Sequence, residues 1–335
     1  MKKILIKFIL IVGGVLVCLV IFVMLAFHFS PKPGAMIIRH LFSSEVKITD
    51  ESGFEKVKSK VALTKNHNYN SKFGSNTYDL YLPKGVNHPV DVLIWVHGGG
   101  FVGGDKSGVK EFATKLAFDA QMAVIAMNYK RAPESQYPNQ LIQVGELIKT
   151  LKSQSDSRLN LSKLMFGGDS AGAQIALQYA LTQTNLSYGK AISIPHLLTK
   201  GEIKATLSYC GPVDLQQVAH TKSENKAMQY FVKTVAWSEL GTKKWESDPK
   251  LQEASLVQHL TNTFPPTYIT DGNAYSFQDQ GIAFSNQLKT LGVPVSQLFF
   301  KTSKQTITHE YQFDYAKKSA QRCYDETLAF VRKYQ

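Results

Sequence analysis

Cysteine, proline and acidic residues are all scarce in this chain, and each scarcity excludes something. Three cysteines in 335 residues rule out a disulfide framework. No Cys-x-x-Cys pair or Cys/His cluster has zinc-ligand spacing, so no metal is expected. Twelve prolines and 23 glycines are far too few for a collagenous or low-complexity chain, and a 44% hydrophobic content excludes general disorder. There is no internal repeat. Acidic residues number 26 against 38 Lys and Arg, a net charge of +12. That balance suits nucleic acid, an anionic membrane surface or an anionic envelope polymer. Nucleic acid is not expected, because the lysines are scattered and no helix-turn-helix, zinc or RNA-recognition pattern accompanies them.

What is abundant comes first in the chain. Lys2, Lys3 and Lys7 precede an unbroken apolar run from Phe8 to Phe27. A helix of that length spans about 30 Å, the thickness of a hydrocarbon core. The run ends Met24-Leu25-Ala26-Phe27-His28, without a small-x-small cleavage site. This favours an uncleaved signal-anchor over a cleaved signal peptide. The preceding lysines hold that end in the cytoplasm, so a single-pass cell-membrane protein with its main domain outside is expected. The remaining positive charge then suits anionic headgroups or envelope polymers.

The sequence suggests an anchor at 1–30, a linker and cap helix at 31–70, and a catalytic domain at 71–335. Residues 35–43 (Ala35, Met36, Ile37, Ile38, Leu41, Phe42) read as a short amphipathic helix, lying on the bilayer or over a pocket. From Asp50 to Lys65 no period emerges. Strands are then expected at 77–82, 91–96, 122–128, 164–166, 204–210, 267–270 and 295–300. Helices are expected at 110–119, 139–154, 171–182, 278–290 and 316–333. Such alternation predicts an α/β fold, a mostly parallel twisted sheet with helices on both faces. An aromatic-bearing insertion at about 215–262 breaks the rhythm and reads as a cap.

Two motifs carry chemistry. Gly168-Asp169-Ser170-Ala171-Gly172 follows one predicted strand and opens a helix. A serine on such a turn needs small neighbours, because its backbone is strained and its hydroxyl must project outward. The helix N-terminus adds positive potential for a developing oxyanion. Earlier, strand Val92–Val96 runs into His97-Gly98-Gly99-Gly100-Phe101. Consecutive glycines let backbone N–H groups line a cavity, so Gly99 and Gly100 suit an oxyanion hole. His97 reads as structural, fixing the turn.

With Asn128-Tyr129-Lys130-Arg131-Ala132-Pro133-Glu134, Tyr137-Pro138 and Gly211-Pro212-Val213-Asp214-Leu215 added, residues 70–335 resemble the hormone-sensitive-lipase-like α/β-hydrolases. The resemblance implies an α/β-hydrolase fold with a helical cap, hydrolysis of carboxylic esters, and no cofactor. It implies Ser170 as nucleophile and the Gly99, Gly100 and Ala171 amides as oxyanion hole. Gly98, Gly168, Asp169 and Gly172 support the motifs. Asp169 reads as a turn support, and Arg131 with Glu134 as a structural pair. In the order Ser…acid…His the base comes late, at His309. The family has His-Gly-Phe there, and this chain has His309-Glu310-Tyr311.

The acid is the departure. The family's carboxylate position falls on Tyr275. Asp271 ends a predicted strand, where α/β sheets place their sites, and is preferred over Asp279, one helical turn beyond Tyr275. A Ser–His dyad without an acid is a third possibility. The expected function is a membrane-anchored serine esterase. A non-catalytic envelope-binding protein on a hydrolase scaffold is the alternative, resting on Tyr275 alone. The expected partners are an ester substrate, small or lipid, and the membrane through residues 8–27.

Overall fold

The computed structural model describes residues 2–42, 47–199, 201–220 and 223–335. Eight strands form one sheet: β1 Val61–Asn68, β2 Thr77–Pro83, β3 Val90–Val96, β4 Ala123–Met127, β5 Leu159–Asp169, β6 Ile203–Tyr209, β7 Thr267–Asp271 and β8 Val295–Phe299. Their order is β1-β2-β4-β3-β5-β6-β7-β8. β1 and β2 run antiparallel, and every pairing from β4 to β8 is parallel.

The first helices are α1 Lys2–Phe29, α2 Lys32–Leu41 and α3 Glu51–Lys58. The sheet is then wrapped by α4 Lys110–Asp119, α5 Asn139–Gln154, α6 Ala171–Thr184, α7 Leu186–Ala191, α11 Gln278–Thr290 and α12 Lys318–Tyr334. Between α7 and α11 lie α8 Leu215–His220, α9 Lys226–Leu240 and α10 Lys250–Glu253, which occupy the predicted insertion. Position 43 of the expected N-terminal helix and positions 221–222 of the insertion lie outside the described residues.

Period-two side-chain alternation makes β3 the centre of two cores. Val92, Ile94 and Val96 face one side with Leu147, Ile175 and Leu177. Leu93 and Trp95 face the other with Phe112, Leu116, Phe330 and Val331. Helix α5 buries Leu141, Val144, Leu147, Ile148 and Leu151, a three-and-four spacing that places them on one face. Each fully buried leucine or isoleucine contributes about 2 kcal/mol. Helix α6 buries Ala171 through Gln183; its run of small residues lets the helix behind Ser170 sit close to the sheet.

The sheet begins at Val61, before the boundary at 71 suggested by the sequence. β1 is an edge strand in which only Val61 is buried, so its polar sequence Thr64-Lys65-Asn66-His67 carries no alternation. Helix α3 was equally invisible by period. It starts at Asp50, whose side chain accepts from the Gly53 N–H, and it buries only Phe54.

Candidate active site

The glycine loop, Ser170, Asp271 and His309 all lie at or beyond the carboxyl ends of parallel strands, where α/β sheets place their sites. The Gly98–Gly100 loop follows β3, Ser170 follows β5, Asp271 ends β7, and His309 follows β8. Ser170 holds φ 49°, ψ −122°, a conformation costly for a residue with a side chain, of order 1–3 kcal/mol. Its amide donates to the Tyr209 carbonyl at 2.8 Å, which pins the turn. Gly172 is forced by close approach, since a Cβ there would collide with the Val96 and His97 carbonyls. Gly168 packs against the Gly172 backbone. The serine is thereby pushed out over the N-terminus of α6.

On the facing loop, Gly99 adopts φ 112°, and a Cβ would meet the Gly103 backbone. The N–H groups of Gly99, Gly100 and Ala171 donate to no acceptor among the described residues. They are therefore available to a ligand oxygen. Asp169 ties the two loops together: its carboxylate accepts from Trp95 Nε1–H at 2.7 Å and from the Gly98 N–H at 2.8 Å. The expected turn support is thus a clamp between the serine turn and the glycine loop. Burial, with Glu310 nearby, pushes the Asp169 carboxyl up to about 7. His97 is structural: Nδ1 sits 2.7 Å from the Gly98 carbonyl and donates to it. Its ring stacks on Tyr129 at 4.5 Å, and burial lowers its pKa to about 4, so it stays neutral.

His309 Nε2 lies 2.9 Å from Ser170 Oγ. On the other side of the ring, Nδ1 is 3.6 Å from Asp271 Oδ1, longer than a hydrogen bond, so the attraction is chiefly Coulombic. Asp271 is held rigidly, accepting from the Gly272 and Phe277 N–H groups at 2.7 Å each. Burial alone would lower the His309 pKa. The carboxylates of Asp271, Glu310 and Asp169 outweigh it and push the value up. Asp279 is elsewhere, with its side chain 80% exposed and 3.9 Å from Lys301. Tyr275, at the resemblance's acid position, points to solvent at 71% exposure. The structure therefore brings Ser170, His309 and Asp271 together and leaves Asp279 and Tyr275 outside.

Two features were not anticipated. Glu310 takes φ 60°, the left-handed region that suits the family's glycine, and burial with Asp271 nearby raises its carboxyl. The departure from His-Gly-Phe was the visible signal for it. Glu134 pairs not with Arg131 but with Arg39 of α2, at 2.7 Å, while Arg131 donates to the Gly104 carbonyl at 3.0 Å. The true partner lies on a remote helix, beyond the reach of local sequence. Cys210, Asp271 and His309 present donor atoms within 4.8 Å of one another, the one such group among the described residues. Burial raises the Cys210 thiol well above its ordinary value and keeps it protonated, a poor metal ligand.

Sheet order, cap and the strand–serine–helix turn define an α/β hydrolase. A family model described as the alpha/beta hydrolase fold matches residues 93–307. An esterase of Fusarium pseudograminearum (strain CS3096) is 26% identical over 231 residues, covering 67% of this chain and 68% of that one. An esterase of Gibberella moniliformis (strain M3125 / FGSC 7600) is 25% identical over 231 residues, covering 67% and 70%. The crystal structure of an inhibited esterase B from Lactobacillus rhamnosis superposes with a TM-score of 0.68 at 17% identity, over 85% of this chain and 91% of that one. The chain belongs to the hormone-sensitive-lipase-like carboxylesterase family of α/β hydrolases.

Proposed function

We propose that the protein is a membrane-anchored carboxylesterase working through an acyl-enzyme on Ser170. The observation that carries this reading is the 2.9 Å contact between Ser170 Oγ and His309 Nε2, with Asp271 against the opposite ring nitrogen. Asp271 favours the tautomer with its proton on Nδ1, which leaves the Nε2 lone pair facing the serine. Ser170 Oγ attacks the ester carbonyl as Nε2 takes its proton. The oxyanion accepts from the N–H groups of Gly99, Gly100 and Ala171, helped by the positive end of α6. His309 then protonates the leaving alkoxide, and the alcohol departs. Water, deprotonated by the same nitrogen, hydrolyses the acyl-serine and restores Ser170.

The reading as a non-catalytic binding protein rests only on Tyr275, and Asp271 beside His309 removes that support. Helix α1 supports the anchor: Lys3–Phe29 has a mean hydropathy of 3.3 over its most apolar window, with none of that window buried. By the charge rule, the lysines before the run place the catalytic domain outside the cytoplasm.

Short-chain p-nitrophenyl esters offered to the full-length protein and to Ser170→Ala test the chemistry. Hydrolysis by the first and none above background by the second is expected; equal rates contradict the reading. Carbonate washing of membranes tests the anchor. Protein retained with its N-terminus intact supports it, and release of a shortened chain contradicts it.

A further inference from the structure

Only two residues, Ser30 and Pro31, separate α1 from α2, with no slack between them. The Ser30 N–H donates to the Ala26 carbonyl at 3.0 Å, and the Ala35 N–H to the Pro31 carbonyl at 2.9 Å. Lys243, just past α9, holds the same corner by donating to the His28 carbonyl at 3.1 Å. The catalytic domain is therefore tied to the end of α1 rather than tethered by a loose linker. Since α2 has 10 residues, about 15 Å of helix, and only Ser30 and Pro31 separate it from α1, no part of it lies farther than about 25 Å from the end of α1.

The inner side of α2 belongs to the domain. Ala35 and Ile38 pack with Val102 and Ala132, against Phe231 and Val235 of α9. Arg39 donates to the Val102 and Ala132 carbonyls at 2.8 and 2.9 Å. The outer side is largely apolar, with Lys32 and His40 exposed beside the apolar residues. Met36, Ile37 and Leu41 are 65%, 50% and 70% exposed, and Tyr230 of α9 is 42% exposed. Three large apolar side chains turned away from the domain suit a helix that meets a second apolar phase there, with Lys32 and His40 at its polar boundary. The basic residues at this corner, Lys243 and Lys244, are exposed and would meet anionic headgroups.

This face also borders the chemistry. Phe42 follows α2 directly and meets the Phe231 ring edge-on at 6.2 Å. The Phe231 ring in turn lies 3.1 Å from where a Gly100 Cβ would be. The oxyanion loop is thus roofed by the helices that carry the outward apolar face.

We propose that Met36, Ile37, Leu41 and Tyr230 are seated in the interfacial zone of the bilayer that α1 enters, and that the enzyme takes its ester from that bilayer. The substrate class is an acyl ester with a hydrocarbon chain dissolved in the membrane. The inference rests on the readings of α1 as an uncleaved anchor and Ser170 as nucleophile. An amphiphile reaches the oxyanion loop past the cap without its chain crossing bulk water.

The test uses full-length protein in phosphatidylcholine–phosphatidylglycerol vesicles, with two substrates: soluble p-nitrophenyl acetate, and dioleoylglycerol within the bilayer. The double variant Met36→Asp/Leu41→Asp is expected to lose at least about tenfold in dioleoylglycerol turnover while p-nitrophenyl acetate stays within about twofold. Unchanged dioleoylglycerol turnover overturns the proposal. Position is read independently by an environment-sensitive label on Leu41→Cys in a Cys18→Ser background, since Cys210 and Cys323 are buried. Quenching by nitroxide-bearing lipid is expected, and an unquenched label on membrane-bound protein overturns the proposal whatever the activities show. Failure of the wild type on p-nitrophenyl acetate would strike the esterase reading instead, and release by carbonate the anchor reading.

Discussion

The two halves of the active site are built on different principles. On the serine side, sterics within a few residues decide the geometry. Gly172 and Gly99 stand where any Cβ would strike backbone, and Ser170 is forced to φ 49°. On the histidine side, the geometry comes from contacts across the chain. Asp271 is aimed by the Phe277 N–H, and the loop bearing His309 is hung on the Ala274 carbonyl at 3.1 Å. The first half is fixed by local sterics and reads as a motif. In the second, Asp271 stands beside His309 while Tyr275 occupies the family's acid position, and Glu310 stands where the family has glycine.

That contrast can be broken most sharply at the nucleophile. Ser170→Ala is expected to lower kcat on a p-nitrophenyl ester by roughly 10⁵–10⁶-fold; steady-state kinetics at matched folded content check this. Next comes the acid. Asp271→Asn should cost about 10⁴-fold by upsetting the imidazole tautomer, whereas Asp279→Asn should stay within about twofold. Equal effects of the two would erase the distinction drawn from their positions. For the steric half, Gly172→Ala should destabilise the fold by about 3 kcal/mol or more, read by denaturant unfolding. A mild effect there would mean that the serine turn is less rigidly enforced than its contacts indicate.

The smallest effect concerns pH. His309 must be neutral to take the serine proton, and nearby carboxylates raise its pKa above the ordinary 6.5. The acid limb of kcat/KM should accordingly lie above that value. Glu310→Gln removes one of the negative charges that stabilise the imidazolium, so the limb should move to lower pH, with activity retained further into acid. A limb that stays in place would show that Glu310 does not reach the base electrostatically.

The same division governs what the sequence discloses. Helices 110–119, 139–154 and 278–290 were readable to the residue because their buried faces repeat at helical spacing. The serine turn and glycine loop were readable because their sterics are local. β1 was not, since an edge strand with one buried side chain leaves no pattern. The Arg39–Glu134 pair joins residues 95 apart, and no local rule links them. The position of Asp271 beside His309 was readable only as the better of two choices, because it depends on a loop almost 40 residues further along the chain.

The central claim is that Ser170 is an activated nucleophile, not merely a strained serine. Mass spectrometry of the full-length protein after treatment with a fluorophosphonate tests this most directly. One phosphonyl adduct is predicted, on the peptide containing Ser170, formed faster in the wild type than in His309→Ala and absent from Ser170→Ala. An adduct elsewhere, or none in active protein, would contradict it.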